Sequence, residues 1–123
     1  MVDTNSTIFV VDDDDFVRDA VRTLLKSAGF NVKVFESAQA FLNSGHHQRS
    51  GLLILDVRLP GMTGLELQKH LANSGISMPI IFITAHGDNQ ICPKAMAAGA
   101  VAFLHKPFED KTLLDAIERV PCL

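Results

Sequence analysis

The sequence predicts an α/β fold in which five helices cover both faces of a doubly wound, five-stranded parallel sheet, giving a three-layer sandwich. Two observations indicate this fold. Short apolar runs alternate five times with segments of helical periodicity. One of these runs, Leu52 to Leu55, is apolar at every position, as expected for a strand buried on both faces. Five units are too few for an eight-unit barrel, so the sheet is expected to stay open.

The first two units are each a strand followed by a helix. The β-branched and aromatic run Thr7 to Val11 predicts a strand, and the apolar spacing of Phe16 to Ala28 predicts a helix ended by a glycine. Alternation in Asn31 to Phe35 is typical of an edge strand. Ser37 can cap the short helix predicted over Ala38 to Asn43.

The last three units follow the same order. After the buried strand Leu52 to Leu55, a turn rich in proline and glycine precedes a helix over Gly64 to Asn73. The fourth unit is predicted as a strand over Pro79 to Ile83 and a helix over Ile91 to Ala98. The fifth is predicted as a strand over Ala100 to Leu104 and a helix over Glu109 to Val120. Pro93 falls where the fourth helix should begin, so a late or distorted start is expected there.

Composition and length favour one globular domain over residues 1–123, since the chain leaves no room for a second domain of ordinary size. A net charge of −3 disfavours direct contact with nucleic acid by this chain. No apolar run is long enough to cross a membrane and no secretory signal is recognisable, which favours a cytoplasmic protein. Cys92 and Cys122 are far apart, so we expect reduced thiols and neither a disulfide framework nor a zinc site.

The residues that follow the strands are the candidate site. In a sheet of flavodoxin-like order 2-1-3-4-5, ligands bind beyond the carboxyl ends of the strands, near strands 1 and 3. The residues at these ends are Asp12, Asp13, Asp56, Thr84 and Lys106. Because neighbouring strands lie about 4.8 Å apart, carboxylates at the ends of strands 1 and 3 are expected within about 5 Å of each other.

Three carboxylates at that spacing need a cation. A pair at about 5 Å repels by roughly 3 kcal/mol at an effective dielectric constant of 20. Lys106 offsets one negative charge, and a hard divalent cation with oxygen ligands would offset the other two. Mg²⁺ is the natural candidate, because it keeps water positions that a phosphate oxygen can take.

Each candidate also has a simpler interpretation. Asp14 or Asp15 is better explained as a cap of the following helix, or as an acidic residue favoured at its positive end, than as a site residue. Asp56 alone is equally consistent with a turn, and Phe103 alone is typical of a core aromatic. Only the combination favours a site.

Four motifs in order carry a family resemblance. They are VVDD at 10–13, LDVRLPGMTG at 55–64, ITAHGD at 83–88 and HKPF at 105–108. Over nearly the whole chain the sequence resembles the CheY-like receiver domain of bacterial two-component response regulators. It is most similar to the FixJ/NarL subfamily, whose receivers precede a LuxR-type helix-turn-helix.

The resemblance implies a role for each site residue. Asp56 would be the phosphoacceptor, taking a phosphoryl group from a phosphohistidine of a sensor histidine kinase. Mg²⁺ would be held by Asp13, by Asp56 and by the backbone carbonyl of Arg58, with Asp12 acting through a water. Further implied roles are phosphate binding and switching by Thr84, Lys106 and Phe103, tuning of the phosphoryl lifetime by Arg58 and His86, and a cis Lys106–Pro107 bond.

The resemblance also implies partners and an output. On phosphorylation, the surface of helix 4, strand 5 and helix 5 would change and could form a homodimer or act on an output, with transcription regulation the expected one. If the native protein continues past Leu123, a DNA-binding domain is expected there. The domain would catalyse its own phosphorylation and dephosphorylation but would have no turnover substrate.

Two alternatives stay open from the sequence. One is a phosphohydrolase of the haloacid-dehalogenase type, whose nucleophile follows the first strand in DxDx[TV]; here Phe16 takes the last position. The other is a receiver that only dimerises, independently of phosphate. A nucleotide-binding domain is disfavoured, because neither GxGxxG nor GxxxxGK[ST] is present.

Overall fold

A computed structural model describes residues 7–45, 51–85 and 90–120 of the chain. They form one parallel sheet in the order β2-β1-β3-β4-β5, as the sequence predicted. The strands are β1 Thr7–Val11, β2 Asn31–Phe35, β3 Gly51–Asp56, β4 Ile80–Thr84 and β5 Ala102–His105. The helices are α1 Asp15–Ser27, α2 Ala38–Ser44, α3 Gly64–Asn73, α4 Ile91–Ala97 and α5 Asp110–Glu118.

Alternate residues of the central strands point to two separate cores. On one face, α1 and α5 pack on residues such as Val10, Ile54 and Ile83. On the other face, α2, α3 and α4 pack on residues such as Leu55 and Phe82. Because every residue of β3 is buried, this strand is apolar throughout until its last residue.

Two predicted helix caps, Asp14 and Ser37, are confirmed. The Asp14 side chain accepts hydrogen bonds from the backbone N–H groups of Phe16, at 2.9 Å, and Val17, at 3.4 Å. The Ser37 hydroxyl accepts one from the Ala40 N–H at 3.0 Å. These bonds satisfy donors that the first turn of a helix leaves unpaired.

Element boundaries differ from the prediction where backbone hydrogen bonds decide them. β5 begins two residues late, because the Ala100 N–H closes the end of α4 on the Ala95 carbonyl at 3.1 Å. α5 ends two residues early, where the Val120 N–H turns back to the Ile117 carbonyl at 3.0 Å.

Helix α4 begins at Ile91, with Pro93 in its first turn. Proline is tolerated there because N–H groups of the first turn have no partner within the helix. The late start predicted from Pro93 is therefore wrong, although the helix is only 7 residues long. None of the described helices has the length and apolar character needed to span a bilayer.

Candidate functional site

The carboxyl end of β1 presents two aspartates with different surroundings. Asp12 is fully buried, and its Oδ1 accepts a hydrogen bond from the Asp14 N–H at 2.9 Å. Its own N–H donates to the Phe35 carbonyl at 3.1 Å, which ties this position to β2. Asp13 is exposed. The chain thus leaves the sheet with one carboxylate fixed in the protein and the next one facing solvent.

Asp56 ends β3 and is almost fully buried. Its Oδ1 accepts a hydrogen bond from the Arg58 N–H at 3.1 Å. Burial, followed by the negative charge of Asp12, raises the pKa of Asp56 to about 6, although the Arg58 hydrogen bond and the charge of Lys106 oppose the shift. The carboxylate is therefore mostly ionised at neutral pH.

Lys106 reaches into this edge of the sheet from just beyond β5. Its Nζ lies 2.8 Å from Asp12 Oδ2 and 3.5 Å from Asp56 Oδ2. Partial burial lowers the pKa of Lys106, but the contacts with Asp12 and Asp56 outweigh it and the net shift is upward. The lysine is a permanent cation between the two buried carboxylates.

Asp12, Asp13 and Asp56 meet as the sequence predicted. Carboxylate oxygens of the three residues lie within 4.8 Å of one another. Among the described residues Asp12 Oδ2, which is buried, makes no hydrogen bond beyond its ion pair with Lys106. Three hard oxygen donors with one lysine between them leave an uncompensated negative charge, so the donor set fits a divalent cation such as Mg²⁺.

The remaining predicted site residues lie around this cluster. Thr84 is fully buried at the end of β4, and its carbonyl accepts the Lys106 N–H at 2.6 Å. Phe103 is half-buried on β5, with ring centroids 6.1 Å from Phe82 and 5.5 Å from His105. The sheet therefore brings Thr84 close to Lys106 and places Phe103 on the face of α4.

Two predicted features concern the loops. The Lys106–Pro107 peptide bond is cis, as expected. Arg58 is exposed beside Asp56, whereas His86 lies outside the described residues.

Two contributors to the site were not identified from the sequence. A Cβ atom on Gly64 would lie 2.5 Å from the Asp56 carbonyl, so only glycine lets α3 begin this close to the end of β3. Arg18, on α1, donates a hydrogen bond from Nη1 to the Asp12 carbonyl at 2.6 Å. The glycine was visible as the end of the LDVRLPGMTG motif, but helical periodicity gave no signal for the arginine.

Comparison with known proteins shows the family of the chain. A model of the response regulator receiver domain matches residues 8–118. The chain belongs to the response regulator receiver domain family. Among relatives, it is 50% identical over 117 residues to the response regulator protein TmoT of Ectopseudomonas mendocina, covering 95% of this receiver domain and 53% of TmoT.

Other matches agree. The transcriptional regulatory protein FixJ of Rhizobium meliloti is 45% identical, over 94% of this receiver domain and 57% of FixJ. The structure of the response regulator StyR superposes with a TM-score of 0.86 at 53% identity, over 93% of this chain and 58% of StyR. The crystal structure of FixJ-N superposes with a TM-score of 0.85 at 45% identity, over 93% of this chain and 91% of FixJ-N.

These findings bear on one of the two alternatives left open by the sequence. The chain is a receiver domain of response regulators, so the phosphohydrolase alternative is not supported. The receiver domain spans about half the length of the full-length relatives it matches.

Proposed function

We propose that this receiver domain is a phosphoacceptor and that a sensor histidine kinase phosphorylates it on Asp56. The observation that carries the proposal is the position of the Asp56 carboxylate. It stands at the end of β3 with Oδ1 on the Arg58 N–H and Oδ2 3.5 Å from Lys106 Nζ, beside Asp12 and Asp13. A carboxylate held in this way is oriented before the reaction begins.

The transfer is a displacement at phosphorus. An Asp56 oxygen donates a lone pair to form a P–O bond while the P–N bond of the phosphohistidine breaks. The electron pair of that bond returns to the imidazole nitrogen, and the ring leaves as a neutral imidazole because its other nitrogen keeps its proton. Loss of the phosphoryl group reverses the charge change: water attacks phosphorus, and Asp56 leaves as a carboxylate.

The metal site would be formed by Asp13, Asp56 and the Arg58 backbone carbonyl, with Asp12 acting through a water. When bound, Mg²⁺ would supply positive charge to the phosphoryl oxygens during transfer. Lys106 supplies a further positive charge from just beyond β5, and Thr84 contributes a hydroxyl from the end of β4. These are positioning and charge-stabilising roles, which is what phosphoryl transfer requires of a protein.

The output surface is expected on α4, β5 and α5. Phe103 is half-buried on β5 and packs near Phe82 of β4. Because Thr84 ends the same strand as Phe82, a movement of Thr84 can be transmitted to Phe103 through the pairing of β4 with β5. We infer that phosphorylation moves Thr84 and Phe103 together, and that the altered surface forms a homodimer or binds an output domain.

The whole of residues 1–123 is proposed to be a single receiver domain in the cytoplasm, with regulation of transcription as its output. Relatives such as TmoT and FixJ extend well beyond the region that matches. A DNA-binding domain outside this chain would complete the regulator. The net charge of −3 supports the proposal that this chain makes no direct contact with nucleic acid.

Arg58 and His86 are proposed to set how long the phosphoryl group persists. Arg58 is exposed next to the acceptor, where its side chain can limit the approach of water. Phosphoryl half-lives in Arg58→Ala and His86→Ala, measured after removal of the phosphodonor, should both differ from wild type. Unchanged half-lives would contradict this role.

The function is tested by intact-protein mass spectrometry after incubation with acetyl phosphate. Wild type should gain the mass of one phosphoryl group with Mg²⁺ present and none with EDTA. Asp56→Asn should gain none, while the matched variant Asp19→Asn, on the exposed surface of α1, should behave as wild type. Equal labelling of Asp56→Asn and wild type would overturn the proposal. Oligomerisation that does not change with the phosphodonor would instead support the alternative of a receiver that only dimerises.

A further inference from the structure

The Arg18 side chain binds the start of the loop between β1 and α1. Its Nη1 donates to the Asp12 carbonyl at 2.6 Å, whereas the Arg18 backbone N–H makes the ordinary first helical bond of α1, to the Asp14 carbonyl at 3.0 Å. Its Nη2 forms an ion pair with Asp15, one turn earlier on α1. The Arg18 side chain is only 15% exposed, so this arginine belongs to the interior of the site rather than to the solvated surface of the helix.

With Arg18 in place, every polar group of Asp12 has a partner. The Asp12 N–H bonds to Phe35, Oδ1 accepts from the Asp14 N–H, and Oδ2 pairs with Lys106. The carbonyl is the fourth group, and Arg18 holds it. This carbonyl is part of the peptide unit that leads into Asp13, so fixing it also fixes the direction in which Asp13 leaves the strand.

The charge of Arg18 matters as well as its position. A guanidinium near three carboxylates would by itself compete with a divalent cation. Asp15 pairs with it and offsets that charge. Arginine suits the two contacts because its planar fork carries donors for two acceptors at once.

We propose that Arg18 is a positioning residue of the phosphotransfer site, locking the Asp12 carbonyl so that Asp13 is presented to the metal, with Asp15 neutralising its charge. The proposal rests on the proposed function of Asp56. It predicts an effect on the metal-free protein as well as on the reaction.

The test compares Arg18→Met, which keeps the aliphatic stem, with Arg22→Met. Arg22 lies on the same helix and pairs with Asp19 at the same i,i+3 spacing, at 3.2 Å, so it controls for loss of a helix-surface ion pair. Two quantities are measured: the Mg²⁺ dissociation constant by calorimetry, and exchange of the Asp14 amide proton by NMR without Mg²⁺.

Arg18→Met should weaken Mg²⁺ binding by about tenfold, as is typical when a group that orients a metal ligand is removed. Its Asp14 amide should exchange about tenfold faster in the metal-free protein, because the loop loses its anchor. Arg18→Lys should lie between Arg18→Met and wild type in both measurements, since an ammonium can reach the carbonyl but cannot serve two acceptors in a fork. Arg22→Met should match wild type.

The proposal would be overturned if Arg18→Met and Arg22→Met had Mg²⁺ dissociation constants within twofold of each other and Asp14 amide exchange rates within twofold of each other. Should Arg18→Met fail to fold, Arg18→Gln replaces it with the same limits. Failure of the proposed function gives a different result, because wild type itself would then take no phosphoryl group from acetyl phosphate at Asp56.

Discussion

Helices α1 and α4 lie on opposite faces of the sheet, and they differ in length and at their N-terminal ends. α1 has 13 residues, and the Asp14 side chain accepts hydrogen bonds from two N–H groups of its first turn. α4 has 7 residues, and Gln90 at its start provides no side-chain hydrogen bond. Both helices are followed by a glycine with positive φ, Gly29 and Gly99, so the difference lies at the start of each helix and not at its end.

This difference matches the roles proposed for the two helices. The loop that joins β1 to α1 carries Asp12 and Asp13, which the proposed function requires to stay in place. Helix α4 belongs to the surface proposed to respond to phosphorylation, and a short helix whose first turn lacks a side-chain hydrogen bond opens at lower cost. The proposal therefore assigns a fixed position to α1 and a movement to α4.

The largest effect on stability is expected from truncating a large apolar side chain of each helix. Leu25 is fully buried, so Leu25→Ala should lower the free energy of unfolding by about 3 kcal/mol. Ile91, at the start of α4, is only half-buried, and Ile91→Ala should cost about 1 kcal/mol. Urea unfolding followed by circular dichroism measures both, since the chain has no Trp or Tyr. Equal losses would contradict the comparison.

The charge of the buried Asp56 carboxylate also lowers the stability of the folded protein. Burial raises the pKa of Asp56 from its ordinary value of 3.8 to about 6, so the folded protein binds more protons than the unfolded chain between these values. The contribution of Asp56 to the free energy of unfolding is therefore greatest below about pH 4, and it falls as the pH rises through 6. Without Mg²⁺ at pH 7.5, Asp56→Asn should therefore be more stable than wild type by about 1–2 kcal/mol.

That advantage should disappear below about pH 4, where both side chains are neutral. Saturating Mg²⁺ should stabilise wild type more than Asp56→Asn, because binding to the folded state offsets the repulsion. Unfolding curves across this pH range provide the measurement. A difference between the two proteins that does not change with pH would show that the Asp56 charge is not the cause.

A smaller effect is expected at the one described side-chain hydrogen bond from α3 to α4. Gln68 is buried, and its Nε2 donates to the Ala95 carbonyl at 3.1 Å. Gln68→Met keeps a similar shape and should cost about 1 kcal/mol. In hydrogen exchange, amides of α4 should lose protection while those of α1 keep theirs. A uniform loss over both helices would show that Gln68 does not serve α4 in particular.

The smallest effect is expected from Pro93. Because it lies in the first turn of α4, Pro93→Ala should change stability by no more than about 0.5 kcal/mol. A gain above about 1 kcal/mol would show that the proline strains α4 after all.

The sequence predicted most of this structure because its signals are local. Periodicity placed all ten elements, and the rule that parallel strands end at one edge predicted that Asp12, Asp13 and Asp56 meet. The charge argument that assigned Lys106 to these carboxylates agrees with the structure, where its Nζ lies 2.8 Å from Asp12 Oδ2.

What the sequence did not predict depends on contacts between distant or unpatterned groups. Arg18 donates its hydrogen bond to the backbone carbonyl of Asp12. Because every residue has a backbone carbonyl, neither residue type nor hydrophobic periodicity indicates such a contact. Gln68 occupies a buried position of α3 between Leu65 and Leu71, where apolar spacing alone would favour another leucine. Helix α4 can start at Ile91, with Pro93 in its first turn, because N–H groups of the first turn have no partner within the helix.

Which carboxylate receives the phosphoryl group is the question that tests the proposed site most directly. The wild-type protein is phosphorylated with acetyl phosphate and Mg²⁺, reduced with borohydride, which converts an aspartyl phosphate to homoserine, and digested with trypsin. The peptide of residues 50–58, SGLLILDVR, holds Asp56 as its only acidic residue, whereas Asp12 and Asp13 fall in the peptide of residues 1–18. Homoserine should appear at position 56 alone; homoserine in the peptide of residues 1–18, with position 56 unchanged, would contradict the proposed site.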